Sequence, residues 1–145
     1  MKQAILTAAL LTALALPVAA QQVPSELDPL GLSDVQLRDK KHSDYGRVIL
    51  GTLPDGARIA VELDRDGRVE EIEGRRGDRF PVSAVAPLIP EAVRANPSWP
   101  ADAVLEKLDF DHHDRIEIEG RLADGREFDA EFARDGRLID FDTDD

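Results

Sequence analysis

The sequence predicts an α+β fold: two duplicated antiparallel β-meanders of three to four strands each, with a short kinked helical segment between them. Three observations carry this. Apolar residues alternate with polar ones at period two through most of the second half: Ile116 and Ile118 against Glu117 and Glu119, then Phe128, Ala130 and Phe132 against Glu127, Asp129 and Glu131. Such alternation marks strands with one buried and one wet face. Asp-Gly pairs at Asp55-Gly56, Asp66-Gly67, Asp124-Gly125 and Asp135-Gly136 punctuate these runs as hairpin turns. At an offset of 69 residues the chain matches itself. Gly51-Thr52-Leu53-Pro54-Asp55-Gly56 falls on Gly120-Arg121-Leu122-Ala123-Asp124-Gly125, and Arg65-Asp66-Gly67-Arg68 falls on Arg134-Asp135-Gly136-Arg137, with no gap between Ile49 and Glu73. A match that keeps two turns and the strand between them in register reads as a repeated unit.

Taken in order, residues 1–20 read as a signal peptide. A short positive start at Lys2 precedes an apolar run from Ala4 to Leu16, and Pro17-Val18-Ala19-Ala20 offers small residues before a cut at Gln21. The run is short for a membrane span of about 20 residues. The expected location is periplasmic or secreted, by bacterial export, with no membrane span after cleavage. Residues 21–33, with Pro24 and Pro29 and no period, read as a flexible lead-in. The first meander occupies 34–74, with strands expected at 34–39, 47–53, 57–64 and 68–73. The helical segment and second meander occupy 75–145, with strands at 104–110, 115–122, 126–133 and 137–142. The two meanders form either one long sheet or two packed ones.

Between them Val85, Leu88, Ile89, Ala92 and Val93 recur at helical spacing on one apolar face. Ser83 is the expected N-cap and Asn96-Pro97 the stop. Pro87 and Pro90 break a single straight helix, because a proline lacks the amide proton and crowds the preceding turn. The expected core includes Ile59, Val61, Val93, Ile118, Phe128 and Phe132, and all four turn glycines are expected at positive φ.

Composition removes several classes of function. The 145 residues carry 18 Lys and Arg against 30 Asp and Glu, a net charge of −12. Loss of residues 1–20 removes Lys2 and no acid, making the chain one unit more negative. A chain this acidic repels nucleic acid, whose binding needs clustered Lys and Arg. With no cysteine there are no disulfides, no zinc–thiolate sites and no thiol catalysis.

The run from Ile89-Pro90-Glu91-Ala92-Val93-Arg94-Ala95-Asn96-Pro97 through a strand to Ile116–Leu138, with its D-G turns, resembles the PepSY and PepSY-like domains of exported bacterial proteins. The resemblance covers about residues 83–142, and the first meander matches its sheet half alone. The tandem arrangement is similar to that of β-lactamase-inhibitor proteins, built from two helix-plus-sheet units. The first copy departs from that plan in having no room for a full helix. The resemblance implies a protein-binding or protease-regulating module and supplies no catalytic residues.

Several local patterns invite sharper readings. His112-His113, among Asp109, Asp111 and Asp114, has ligand chemistry, but adjacent strand residues point to opposite faces, so a polar turn is the better reading. Asp64-Arg65-Asp66-Gly67 and the Asp140–Asp145 tail lack the spacing of a calcium loop. Arg76-Gly77-Asp78 matches an adhesion tripeptide and reads more simply as a charged connector. Trp99 is a candidate interface anchor, although a lone tryptophan more often lies over a core edge; Tyr45 is read the same way. No serine has a motif linking it to a histidine and an acid, and no glycine-rich phosphate loop is present. No catalytic residues, metal ligands or cofactors are therefore assigned.

The remaining candidate is a surface. Glu117, Glu119, Glu127, Asp129 and Glu131 alternate outward on neighbouring strands, with Arg121 and Arg126 offsetting part of their charge. The leading expectation is an exported, non-enzymatic interaction module that binds a basic protein through this row or through Trp99, restraining a protease or other envelope enzyme. The alternative is an acidic cation-binding or buffering protein of the same compartment.

Overall fold

The computed structural model describes residues 23–40, 46–111 and 114–144. The expected signal peptide at 1–20, Tyr45 and His112-His113 lie outside these residues. Nine strands form one antiparallel sheet: β1 (Ser33–Asp39), β2 (Arg47–Thr52), β3 (Arg58–Leu63), β4 (Val69–Gly74), β5 (Phe80–Pro81), β6 (Val104–Asp111), β7 (Arg115–Arg121), β8 (Glu127–Ala133) and β9 (Leu138–Asp144). Neighbours follow chain order from β1 to β4 and from β6 to β9, and the two-residue β5 also pairs with β6. The two runs join edge to edge where β4 pairs with β6, Ile72 opposite Leu108. One sheet forms, not two.

Alternation assigns the faces. The cross-strand row Leu37, Ile49, Val61, Ile72, Leu108, Ile118, Ala130, Phe141 is apolar across eight strands. From Ile49 to Ala130 every member is fully buried. The six residues expected in the core are all buried, and Gly56, Gly67, Gly125 and Gly136 all have positive φ. Each turn is also held by an aspartate. The carboxylates of Asp55, Asp64, Asp124 and Asp135 accept from the amides of Ala57, Asp66, Arg126 and Arg137. This is the local side-chain bond that favours aspartate in turns.

A layer of short helices covers the apolar face, since neither surface is stable in water alone. It comprises a 3₁₀ turn at Ser25–Leu30, α1 (Val82–Val85), a 3₁₀ turn at Ala86–Leu88 and α2 (Glu91–Arg94). Leu27, Leu30, Val82, Val85, Ile89 and Val93 are buried against the sheet. The break at Pro90 has a direct cause. Proline cannot donate to the Ala86 carbonyl, and the Ile89 amide takes that carbonyl instead at 3.1 Å. Pro90 then caps α2, whose Val93 and Arg94 amides donate to its carbonyl.

Three expectations are corrected. The 21–33 segment is not a flexible lead-in over its described part. Leu27 and Leu30, three apart in a 3₁₀ turn, both enter the core at 2% exposure. Ser83 is not an N-cap; it lies exposed inside α1, which starts after the extended Pro81. Ala92 is exposed, because the Pro90 break resets the helical phase and only Val93 of that pair faces inward.

Asn96 ties this layer to the sheet. Its side-chain amide donates to the Gly136 carbonyl at 2.7 Å, and its carbonyl oxygen accepts from the Ser98 amide at 2.8 Å. Asn96→Ala should cost about 1–2 kcal/mol, the range for losing partly buried hydrogen bonds. An unfolding midpoint equal to wild type would show that this clasp is not stabilising.

Candidate functional site

The opposite face of the sheet is built by the same alternation, one residue out of phase. Beside the apolar row runs a second one: Glu62, Glu71, Asp109, Glu117, Glu131, Asp140. Six successive strands each place an acid directly opposite the next. At a strand spacing of about 4.8 Å the row spans roughly 24 Å. The neighbouring row is Glu73, Lys107, Glu119, Asp129, Asp142, and Arg121, Glu127 and Asp144 follow across β7, β8 and β9. All these acids are half-exposed or exposed, whereas the helical layer lies on the other face.

The cations present do not neutralise this surface. Lys107 stands among three carboxylates, 3.5 Å from Glu119, 3.6 Å from Asp109 and 3.8 Å from Glu71. Arg115 pairs with Glu131 at 2.6 Å, Arg121 pairs with Glu127, and Lys40 joins Glu62 to Glu70 at the row's β3 end. Arg126, expected to relieve the row, is turned away and pairs with Asp124 in its own turn. Among the described residues no ion pair reaches Glu117, Asp129, Asp140 or Asp142. Like charges directly opposite on a sheet are destabilising, by on the order of 0.2–1 kcal/mol per pair.

The titration directions follow from this geometry. Burial, then the Asp129 charge and the bond shared with Glu119, hold the Glu117 carboxyl above its ordinary value. Burial raises Asp129, with Glu119 and Asp140 adding to it, and raises Glu71 despite the Lys107 charge. Burial alone would push the Lys107 ammonium down, but Glu119, Glu71, Asp109 and Glu117 together hold it above 10.5.

A pH prediction results. The three raised carboxyls bind protons more tightly in the folded chain, so stability rises as pH falls through their folded values toward the unfolded 4.5 and 3.8. Two acids act in the opposite sense. The Arg58 guanidinium and amide hold Asp78 down at about 2, and the Arg126 amide and guanidinium lower Asp124. Their stabilisation is lost only as pH falls below 3.8. The unfolding midpoint should therefore climb from neutral pH to the mid-fours and drop below that. A midpoint highest at neutral pH would show that the acidic row is not under electrostatic strain.

The expected site residues are thus brought together in part. Glu117, Glu119, Glu127, Asp129 and Glu131 share one face. The oxygens of Glu117, Glu119 and Asp129 lie within 4.8 Å of one another. Trp99 does not join them. It is half-buried on the other side, edge-on to Phe132 with ring centroids 5.6 Å apart. Glu62, Glu71, Asp109 and Asp140 extend the row and were not among the expected residues. Asp78 of the adhesion-like tripeptide is engaged within the chain, 2.7 and 2.9 Å from the Arg58 guanidinium. Asp64 is likewise occupied by its own turn.

No helix among the described residues is long and apolar enough to cross a membrane. Comparison with protein-family models, with curated proteins and with solved structures finds no match to this chain.

Proposed function

We propose that this chain is an exported, non-enzymatic interaction module whose acidic sheet face docks a protein with a basic surface. The observation that carries the reading is the six-acid row from Glu62 to Asp140. Scattered acids would keep a protein soluble equally well. A fold that sets six of them directly opposite one another accepts a standing cost that a cationic partner would relieve. The finer architecture belongs to the same proposal. The two meanders are copies of one ancestral unit, as the 69-residue offset suggests, and the second with its helices is PepSY-like. That likeness adds restraint of a protease or other envelope enzyme as the biological role.

The test compares wild type with the Glu119→Lys/Asp129→Lys double variant as bait in envelope extract, each at low and high salt. A docking face made of charge predicts one protein retained by wild type at low salt, released by salt and not retained by the variant. The variant's unfolding midpoint should be unchanged or higher. A retained protein indifferent to both salt and the reversal overturns the reading.

A second reading, divalent-cation binding, is favoured by the convergence of Glu117, Glu119 and Asp129. Calcium, magnesium and zinc titrations followed by thermal unfolding distinguish it. A specific site raises the midpoint with ion concentration by mass action. The Glu117→Gln variant should abolish that rise.

A further inference from the structure

Among the described residues the sheet ends in two edges, and they are built differently. At the β9 edge Asp140, Asp142 and Asp144 line one face, and the Asp140 carboxylate accepts from the Phe141 amide at 3.0 Å. Charge and a side-chain cap both discourage a further strand there. At the β1 edge the residues from Ser33 to Lys40 carry two acids and two bases and sum to no net charge. The apolar cross-strand row ends at the half-buried Leu37 here, with Val35 40% exposed, much as it ends at Phe141 on β9, where Ile139 is 36% exposed, so charge is what separates the two edges. Among the described residues β1 pairs with β2 alone.

We infer that a second copy of this chain adds at the β1 edge, giving a two-fold dimer with one continuous antiparallel sheet. A two-fold axis normal to the sheet makes the contact self-complementary and keeps both helical layers on the same side. The strand then pairs with itself about Leu37, setting Leu37 against its mate and Gln36 against Arg38 and extending the apolar row across the junction. Asp34, at φ +52°, lies in the bulge between Ser33 and Gln36, outside this regular stretch. Repulsion between the two acidic rows is weak in this arrangement. Both rows begin at β3, so their nearest members stand five strand spacings apart, roughly 24 Å, beyond the Debye length of about 8 Å at physiological salt. Pairing through β9 would instead bring Asp140, Asp142 and Asp144 of both copies within about 5 Å. The dimer leaves the acidic face open, so this inference stands apart from the proposed function.

Sedimentation equilibrium on the chain from Gln21, which contains every element described, tests it. The average mass should rise with concentration toward twice that of the protomer. Leu37→Lys places an inward charge on the edge and should hold the mass at that of the protomer, while Asp142→Lys on β9 should leave association unchanged. Amide exchange on the wild type needs no variant: protection at residues 35–39 should increase with concentration while that at 138–144 does not. Protomer mass at every concentration overturns the inference. So does a folded Leu37→Lys chain that still dimerises, or concentration-dependent protection at 138–144 in place of 35–39.

Discussion

Replacing Phe132 by alanine is expected to cost about 3–5 kcal/mol, the range for deleting a fully buried aromatic ring. Phe132 has no exposed surface. It stands on β8 between Ile116 and Leu138 and takes the edge of the Trp99 ring. It therefore joins the sheet to the loop that follows α2, and its removal leaves a void that the paired strands cannot close. Against a domain stability of about 5–15 kcal/mol, this is a large fraction. The midpoint of thermal unfolding should fall by on the order of 10–20 °C. A loss below about 1 kcal/mol would mean that the ring is not in the core and that the faces of β8 are reversed.

The second large effect is expected at Gly136 and is best measured against Gly67. Both residues close an Asp-Gly turn, Gly136 at φ +93° and Gly67 at φ +81°. A side chain at either position carries similar backbone strain, about 1–3 kcal/mol. Their surroundings differ. A Cβ on Gly67 would meet nothing closer than an Arg47 nitrogen at 4.0 Å. A Cβ on Gly136 would fall 2.3 Å from the Ala92 carbonyl oxygen. Gly136→Ala must therefore displace α2, adding about 1–3 kcal/mol of overpacking that Gly67→Ala avoids. Equal losses of stability at the two sites would contradict the docking of α2 on the second meander.

β3, β7 and β8 were legible because each obeys period two beside an Asp-Gly turn, a pattern that fixes both boundaries and facing. Glu117 opposite Glu131, or Phe128 beside Ala130, needs only a local hairpin. The extension of the acidic row through Glu62, Glu71 and Asp109 needs the β4–β6 pairing, which links residues more than thirty positions apart. No local pattern specifies that register, so the full row was hidden in the sequence. A bulge compounds the difficulty. β6 shifts register between Leu105 and Lys107, moving Lys107 and Asp109 to the outer face out of step with Leu105. The helical layer was legible as an apolar stripe, but the phase of Ala92 depended on how the chain passes Pro90. The 3₁₀ turn at Ser25–Leu30 left only the spacing of Leu27 and Leu30 as a trace, too short to show a period.

The salt bridges of the acidic face neutralise only part of its charge. Lys107 is shared by three carboxylates, Arg115 engages Glu131, and Arg121 engages Glu127. Among the described residues no ion pair reaches Asp129, Asp140 or Asp142, the carboxylates on which the proposed docking would draw.

The docking claim is tested most directly by the footprint of the captured protein on this chain, read from side-chain carboxylate resonances with and without it. Shifts are expected at Glu117, Glu119, Asp129, Glu131 and Asp140, with the resonances of Glu26 and Glu91 on the helical layer unmoved. A footprint on that layer around Trp99, with the carboxylates of the row unperturbed, would contradict it.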